Sequence, residues 1–309
     1  MVERLKSAIE KARAQRDGYS GPASTSASSA ASVGANASAQ SPAENDPEQA
    51  RQDKAPDEVA ARSDANLPTA TQTDALADWS LIEELELDEK RLRAERIIAR
   101  SDADPARKSF DMLRSRILRV FREKNWSRLG VISPTKGVGK TVVTLNLAFS
   151  LARQRDARVL LLDLDLAAPR LSNVLAPDNE SDMASFLSGA IAPEKFLRRC
   201  GPNLLVGLNK GHVAGSSEIV QSADTARVLQ DTIERTKPTI VLFDISPVLA
   251  SDDAINVLAY TDCALMIVGA GKTRATEIAD AEKLVGEWTH LLGLVLNGSE
   301  EKTSAEYAY

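Results

Sequence analysis

Residues 128–151, RLGVISPTKGVGKTVVTLNLAFSL, constrain the rest of the chain more than any other stretch. Residues 129–132 are a short apolar run that predicts a buried parallel strand, residues 134–139 form a glycine-containing turn, and Lys140-Thr141 open an apolar helix. A strand, turn and helix in that order make a phosphate loop. Gly137 and Gly139 let the backbone come close to an anion, with Lys136 and Val138 beside them, while the helix N-terminus offers unpaired N–H groups and the positive end of its dipole. Lys140 adds a mobile charge for phosphate oxygens, and the Thr141 hydroxyl can ligate Mg²⁺. The strict pattern for such loops is missed at one place, where Pro134 stands for the first glycine. A plain glycine-rich turn before a core helix is the alternative; the joint occurrence of strand, turn, Lys-Thr and helix favours the phosphate loop.

The next strand, residues 158–163, leads into the run DLDLAAPR, with Asp163 at its carboxyl end and Asp165 two residues on. Ligands of parallel α/β sheets bind at the carboxyl ends of strands, which puts both carboxylates on the edge that carries the phosphate loop. Carboxylates there can hold Mg²⁺ or accept a proton from an attacking hydroxyl; a strand cap followed by a loop Asp is the plainer reading. Further along, TIVLFD at residues 239–244 is an apolar strand closed by Asp244, a carboxylate placed to reach a Mg²⁺ shell. Helices at 181–187, 224–236, 252–259 and 273–288 alternate with strands at 203–208, 263–268 and 292–297. That alternation predicts a doubly wound, mostly parallel α/β sheet with helices on both faces.

Composition divides the chain. By length alone 309 residues could hold two domains, but residues 18–78 are small, polar and aperiodic and cannot bury enough apolar area to offset ordering, so they are expected to be a disordered linker. Before them, residues 1–17 carry Val2, Leu5, Ile9 and Ala12 at helical spacing, a short amphipathic helix that either docks on a partner or frays. Residues 79–104 read as a connecting arm, 105–299 as the globular nucleotide-binding domain and 300–309 as a flexible tail with Tyr307 and Tyr309. The net charge of −6 gives no reason to expect nucleic acid. No apolar run is long enough to cross a bilayer and the N-terminus does not resemble a signal peptide, so a cytoplasmic location is expected. Cys200 and Cys263 read as core or inert thiols, and His212 and His290 lack metal-ligand spacing.

Residues 133–141, the DLDLAAP run, FDISPVLASDDA at 243–254 and the VLN ending at Asn297 together resemble the bacterial tyrosine autokinases of exopolysaccharide and capsule synthesis, within the MinD/ParA-like P-loop ATPases. The resemblance runs from about Phe110 to the C-terminus. It implies a P-loop NTPase fold and an ATP- and Mg²⁺-dependent kinase. Such a kinase would be recruited to the plasma membrane by a membrane-spanning polysaccharide co-polymerase, would associate head to tail and would phosphorylate tyrosines in a neighbour's tail. Carried over residue by residue, it gives Lys136, Gly137, Val138, Gly139, Lys140, Thr141 and Asn297 to the nucleotide, and Thr141, Asp163 and Asp244 to the metal. Lys140, Asp163 and Asp165 would serve catalysis, and Tyr307 and Tyr309 would be phosphoryl acceptors. The chain departs from that pattern at Lys136, where the family has Pro, at Ala167-Ala168, where it has Arg, and in its sparse tail tyrosines. The subunit-contact helix reads Lys108, Asp111, Arg114 in place of Glu, Arg, Arg. Two other classes stay open beside the kinase: an ATP-binding regulator of the same system without kinase activity, and a ParA/MinD-like positioning ATPase.

Overall fold

The computed structural model describes residues 75–100, 104 and 106–299; the expected N-terminal helix, nearly all of the linker, and the tail with Tyr307 and Tyr309 lie outside them. Turns of 3₁₀ helix at Ala75–Ala77 and Trp79–Leu81 lead to α1 (Glu89–Ala94) and α2 (Arg107–Lys124). Then follow β1 (Arg128–Ile132), α3 (Lys140–Ala152), β2 (Val159–Leu164), α4 (Leu171–Leu175), α5 (Met183–Leu187), α6 (Pro193–Phe196), β3 (Arg198–Arg199) and β4 (Leu204–Gly207). The chain continues through α7 (Ser216–Gln221), α8 (Ala223–Thr236), β5 (Ile240–Ile245), α9 (Asp253–Leu258), β6 (Cys263–Gly269), α10 (Ala275–Gly286) and β7 (His290–Asn297).

The seven strands form one sheet in the order β3-β4-β2-β5-β1-β6-β7, parallel throughout except for the β3–β4 pair. The chain leaves β1 to one side for β2 and returns to its other side for β6, so the loops after β1, β2 and β5 converge at the switch point. Burial on both faces explains the continuous apolar strands. Along β2, Leu160, Leu162 and Leu164 enter one core while Val159 and Leu161 enter the other. Helix α3 is apolar on nearly every side because α2 covers it from outside through Ile117 and Phe121. Short elements escaped sequence reading: α4, α6, α7 and the two-residue β3 hold too few residues to show a period.

The charged trio on α2 is only partly at the surface. Arg114 Nη1 donates to Asp111 Oδ1 at 2.8 Å and to the Ser150 carbonyl at 2.9 Å, and Ser150 Oγ donates to Asp111 Oδ1 at 3.0 Å. Asp111 and Arg114 therefore bind α2 to α3 within the chain.

The arm packs into the fold. Leu76, inside the stretch read as linker, is buried, and Trp79 and Ile82 join the same core, while Leu92, Ile97 and Ala99 enter the core on the opposite face. Between them the chain crosses the sheet edge beside β3: Arg199 N–H donates to the Glu83 carbonyl and Leu85 N–H to the Arg199 carbonyl, each at 2.8 Å. The folded domain thus includes the arm. Composition marks the change near Trp79 because the apolar residues of the arm are spaced widely among charges. Indole Nε1 of Trp79 donates to the Thr236 carbonyl at 2.9 Å, and the Arg158 guanidinium lies 4.4 Å from its ring centroid.

Replacing Trp79 with Ala removes a buried aromatic and its hydrogen bond, and is expected to lower stability by about 3–5 kcal/mol, measured by urea unfolding. If the arm were a mere appendage, the unfolding midpoint would not move. The buried thiols give a second test: burial pushes Cys200 and Cys263 up to about 12. Both should resist a thiol-titrating disulfide reagent at pH ~8 in the native protein and react in guanidinium, where a free thiol returns to about 8.5.

Candidate nucleotide site

The loop after β1 turns on two left-handed glycines, Gly137 at φ 77° and Gly139 at φ 85°. Side chains rarely adopt that conformation, and a Cβ on Gly139 would also stand 2.3 Å from Nδ2 of Asn297. That amide, at the end of β7, donates to the Val138 carbonyl at 2.8 Å, and Lys272 Nζ donates to the Gly137 carbonyl at 3.1 Å. Asn297, expected at the nucleotide, here braces the loop that would hold it. Val138 is buried beneath the loop.

Helix α3 begins immediately after Gly139 and projects Lys140 and Thr141 toward the ends of β2 and β5. Lys140 Nζ lies 2.7 Å from Asp244 Oδ1 and 3.2 Å from Asp165 Oδ2. The Thr141 hydroxyl donates to Asp244 Oδ2 at 2.8 Å and the Thr144 hydroxyl to Asp244 Oδ1 at 3.1 Å. Burial acts to lower the Lys140 ammonium, but the charges of Asp244 and Asp165 outweigh it and hold its pKa above the ordinary lysine range. Asp163 is fully buried. Its two oxygens accept from backbone N–H groups of Asp165, at 3.3 Å, and Leu171, at 3.1 Å. Burial first, and the neighbouring Asp244 second, push its carboxyl well above the usual range despite Lys140. Asp165 accepts from the Ser246 hydroxyl at 2.8 Å and from Ala168 N–H at 3.2 Å.

A cavity of about 370 Å³ opens above these groups, lined by Lys136, Gly137, Gly139, Lys140, Thr141 and Asp165 among others. Asp244 and Asp163 lie behind the wall: Asp244 backs Lys140 and Thr141, and Asp163 fixes the turn that carries Asp165. Sequence reasoning missed Glu95 and Arg170, which also line the cavity. Glu95 arrives from the arm, a placement no local pattern reveals. Arg170 stands on the same strand-end loop as Asp165, and that position was its available signal. It also missed Asn146 on α3, whose buried Oδ1 accepts from the N–H groups of Ile98 and Ala99 at 2.7 and 2.9 Å and whose Nδ2 donates to the Arg96 and Val142 carbonyls. One amide with every site filled ties the arm to the phosphate-loop helix.

The donor set fits a nucleotide with a divalent cation. Glycine backbone at a helix N-terminus suits phosphate oxygens, the lysine amine adds charge, and a threonine hydroxyl beside an aspartate suits Mg²⁺.

Comparison with known proteins agrees. Residues 129–305, more than half of the chain, match the model of the CobQ/CobB/MinD/ParA nucleotide binding domain. The chain is 26% identical over 208 residues to the tyrosine-protein kinase etk of Escherichia coli K12, a match covering 67% of this chain and 28% of that protein. With the Bacillus subtilis tyrosine-protein kinase YwqD it shares 26% identity over 181 residues, 58% of this chain and 75% of the relative. The chain thus spans little more than a quarter of the length of the Escherichia coli relative. The solved structure of the kinase domain of Escherichia coli tyrosine kinase ETK superposes with a TM-score of 0.61 at 25% identity, covering 69% of this chain and 84% of that chain. By sequence match, fold and loop geometry, the chain belongs to the CobQ/CobB/MinD/ParA nucleotide-binding family, with bacterial tyrosine kinases among its relatives.

Proposed function

We propose that this protein is an ATP-dependent protein-tyrosine autokinase. The observation that carries this reading is the wall on which Lys140, Thr141 and Asp165 face one cavity, with Asp244 buried against the first two. The tyrosine-kinase relatives then favour a hydroxyl over water as the acceptor. Phosphoryl transfer asks a protein for position and charge more than for covalent chemistry. Backbone N–H groups at Gly137–Gly139 and the Lys140 ammonium would hold the phosphates, and Thr141, with Asp244 behind it, would hold Mg²⁺, with Asp163 fixing the adjoining turn. The metal, when bound, neutralises charge that builds on the phosphate oxygens.

Asp165 is the only carboxylate among these three Asp residues on the cavity wall, and it serves as the group that receives the tyrosine proton. In the transfer, the phenolic oxygen bonds to the γ-phosphorus while the bond from that phosphorus to the β,γ-bridging oxygen breaks. ADP leaves with the electron pair, and the phenolic proton passes to Asp165. Tyr307 and Tyr309 are the proposed acceptors, reached most simply on a neighbouring copy. The regulated process is exopolysaccharide or capsule synthesis, with a membrane-spanning co-polymerase as partner; this part rests on the sequence resemblance. No helix among the described residues is long and apolar enough to cross a membrane.

Peptide mass spectrometry after incubation with Mg·ATP tests the reading, with and without the cytoplasmic segment of a candidate co-polymerase. Phosphotyrosine is expected in the wild type, absent in Lys140→Met, and moved or lost in the Tyr307/Tyr309→Phe double variant. Deleting an activated phosphate-binding charge should cost at least about a hundredfold in rate. Tight ATP binding without phosphotyrosine under either condition would replace the kinase with a nucleotide-gated regulator.

A further inference from the structure

The cations around the nucleotide cavity are not equally available to a ligand. Lys140 is already committed, since its ammonium touches Asp244 at 2.7 Å and Asp165 at 3.2 Å, with Asp163 close behind. One ammonium among three carboxylates does not leave the cavity floor attractive to a polyanion, and each further phosphate increases the mismatch. Mg²⁺, when bound, offsets part of that mismatch, and further positive charge for a terminal phosphate would come from elsewhere on the wall. Lys136 and Arg170 are the other cationic side chains lining the cavity; both are exposed, and neither makes a hydrogen bond or ion pair among the described residues.

Their settings differ. Lys136 rides on the phosphate loop itself, so it travels with the backbone that wraps the phosphates. Arg170 stands on the loop after β2, the loop that also carries Asp165, and lines the same cavity. Its backbone is pinned on the C-terminal side: Leu171 N–H donates to Asp163 Oδ2 at 3.1 Å, and Ser172 Oγ donates to the Asn209 carbonyl at 2.8 Å. A fixed root with a free guanidinium is the arrangement of an arm that closes on a ligand at low entropic cost. Ala168, which also lines the cavity, presents only a methyl group there.

We infer that Arg170 closes onto the terminal phosphate of a bound nucleoside triphosphate and is the residue by which this site distinguishes triphosphate from diphosphate. The guanidinium fork matches two oxygens of a terminal phosphate, whereas a lysine on the loop offers a point charge to whichever phosphate lies nearest. The inference rests on the nucleotide-binding part of the proposed function and not on tyrosine phosphorylation. It makes Arg170 a binding residue that senses the γ-phosphate.

Isothermal titration of the full chain with Mg·ADP and with Mg·AMP-PNP, a triphosphate that resists transfer, tests it in the wild type, Arg170→Ala, Arg170→Lys and Lys136→Ala. In Arg170→Ala the AMP-PNP affinity should fall about tenfold or more while ADP affinity stays within about twofold, as expected for loss of a charge-assisted, bidentate contact. Arg170→Lys should recover part of the loss. Retained ADP binding and an unchanged melting temperature show that the variant is folded. Equal weakening of both nucleotides in Arg170→Ala, or none of either, would overturn the assignment. So would a triphosphate-selective loss in Lys136→Ala with none in Arg170→Ala. Because binding is read without transfer, the result is independent of whether phosphotyrosine forms.

Discussion

The Asp244 carboxylate, fully buried at the end of β5, is the interaction on which the site depends. A bare carboxylate there would be untenable, and Lys140, Thr141 and Thr144 together satisfy it. All three partners come from the first turns of α3, so the electrostatic need of one strand end fixes the rotation and the starting residue of the helix. That in turn places the Gly137–Gly139 backbone over the switch point of the sheet. Removing one member of such a buried pair costs about 3–5 kcal/mol, since the survivor is left charged and unpaired. The pair serves position more than stability. Lys140 is held with its charge matched, and a ligand that draws it off Asp244 must offer charge in exchange.

A second layer holds that arrangement in place. Asp163 does not reach the cavity, yet through two backbone N–H groups it sets the path of the chain from Asp165 to Leu171. Asn297 and Lys272 hold the far side of the phosphate loop through its carbonyls. Residues at or just beyond the ends of β2, β5, β6 and β7 thus brace the two loops and the helix start around the cavity. Asp244 holds side chains of the wall, while Asp163, Asn297 and Lys272 orient backbone. This division suits a reaction in which geometry and charge carry the rate.

Much of this was legible in the sequence where a single segment carries both the structural and the chemical signal. The strand, turn and Lys-Thr of residues 128–141 announce each other, and Asp163, Asp165 and Asp244 stand at apolar strand ends where a parallel sheet gathers its ligands. What stayed hidden depends on contacts distant in sequence. Nothing local shows what Asn146, a lone amide between Leu145 and Leu147, would bond; its role exists only because residues 96–99 arrive beside it. Asp111 and Arg114 look like a solvated helix face until Ser150 is seen beneath them. Glu95 reaches the nucleotide cavity only because the arm has first passed around the β3 edge.

That passage has a mechanical side. Trp79 is fastened to Thr236 and Arg158, at the end of the sheet away from the nucleotide, and the chain then crosses the β3 edge before Asn146 clasps it at the phosphate-loop helix. Tension applied from the N-terminal direction would meet the indole anchor first, next the paired backbone at Arg199, and only then the clasp. The fastenings are loaded in series, like stitches along a seam. A modest pull is absorbed far from the phosphates, and one strong enough to free the first two would act directly on the helix that carries Lys140.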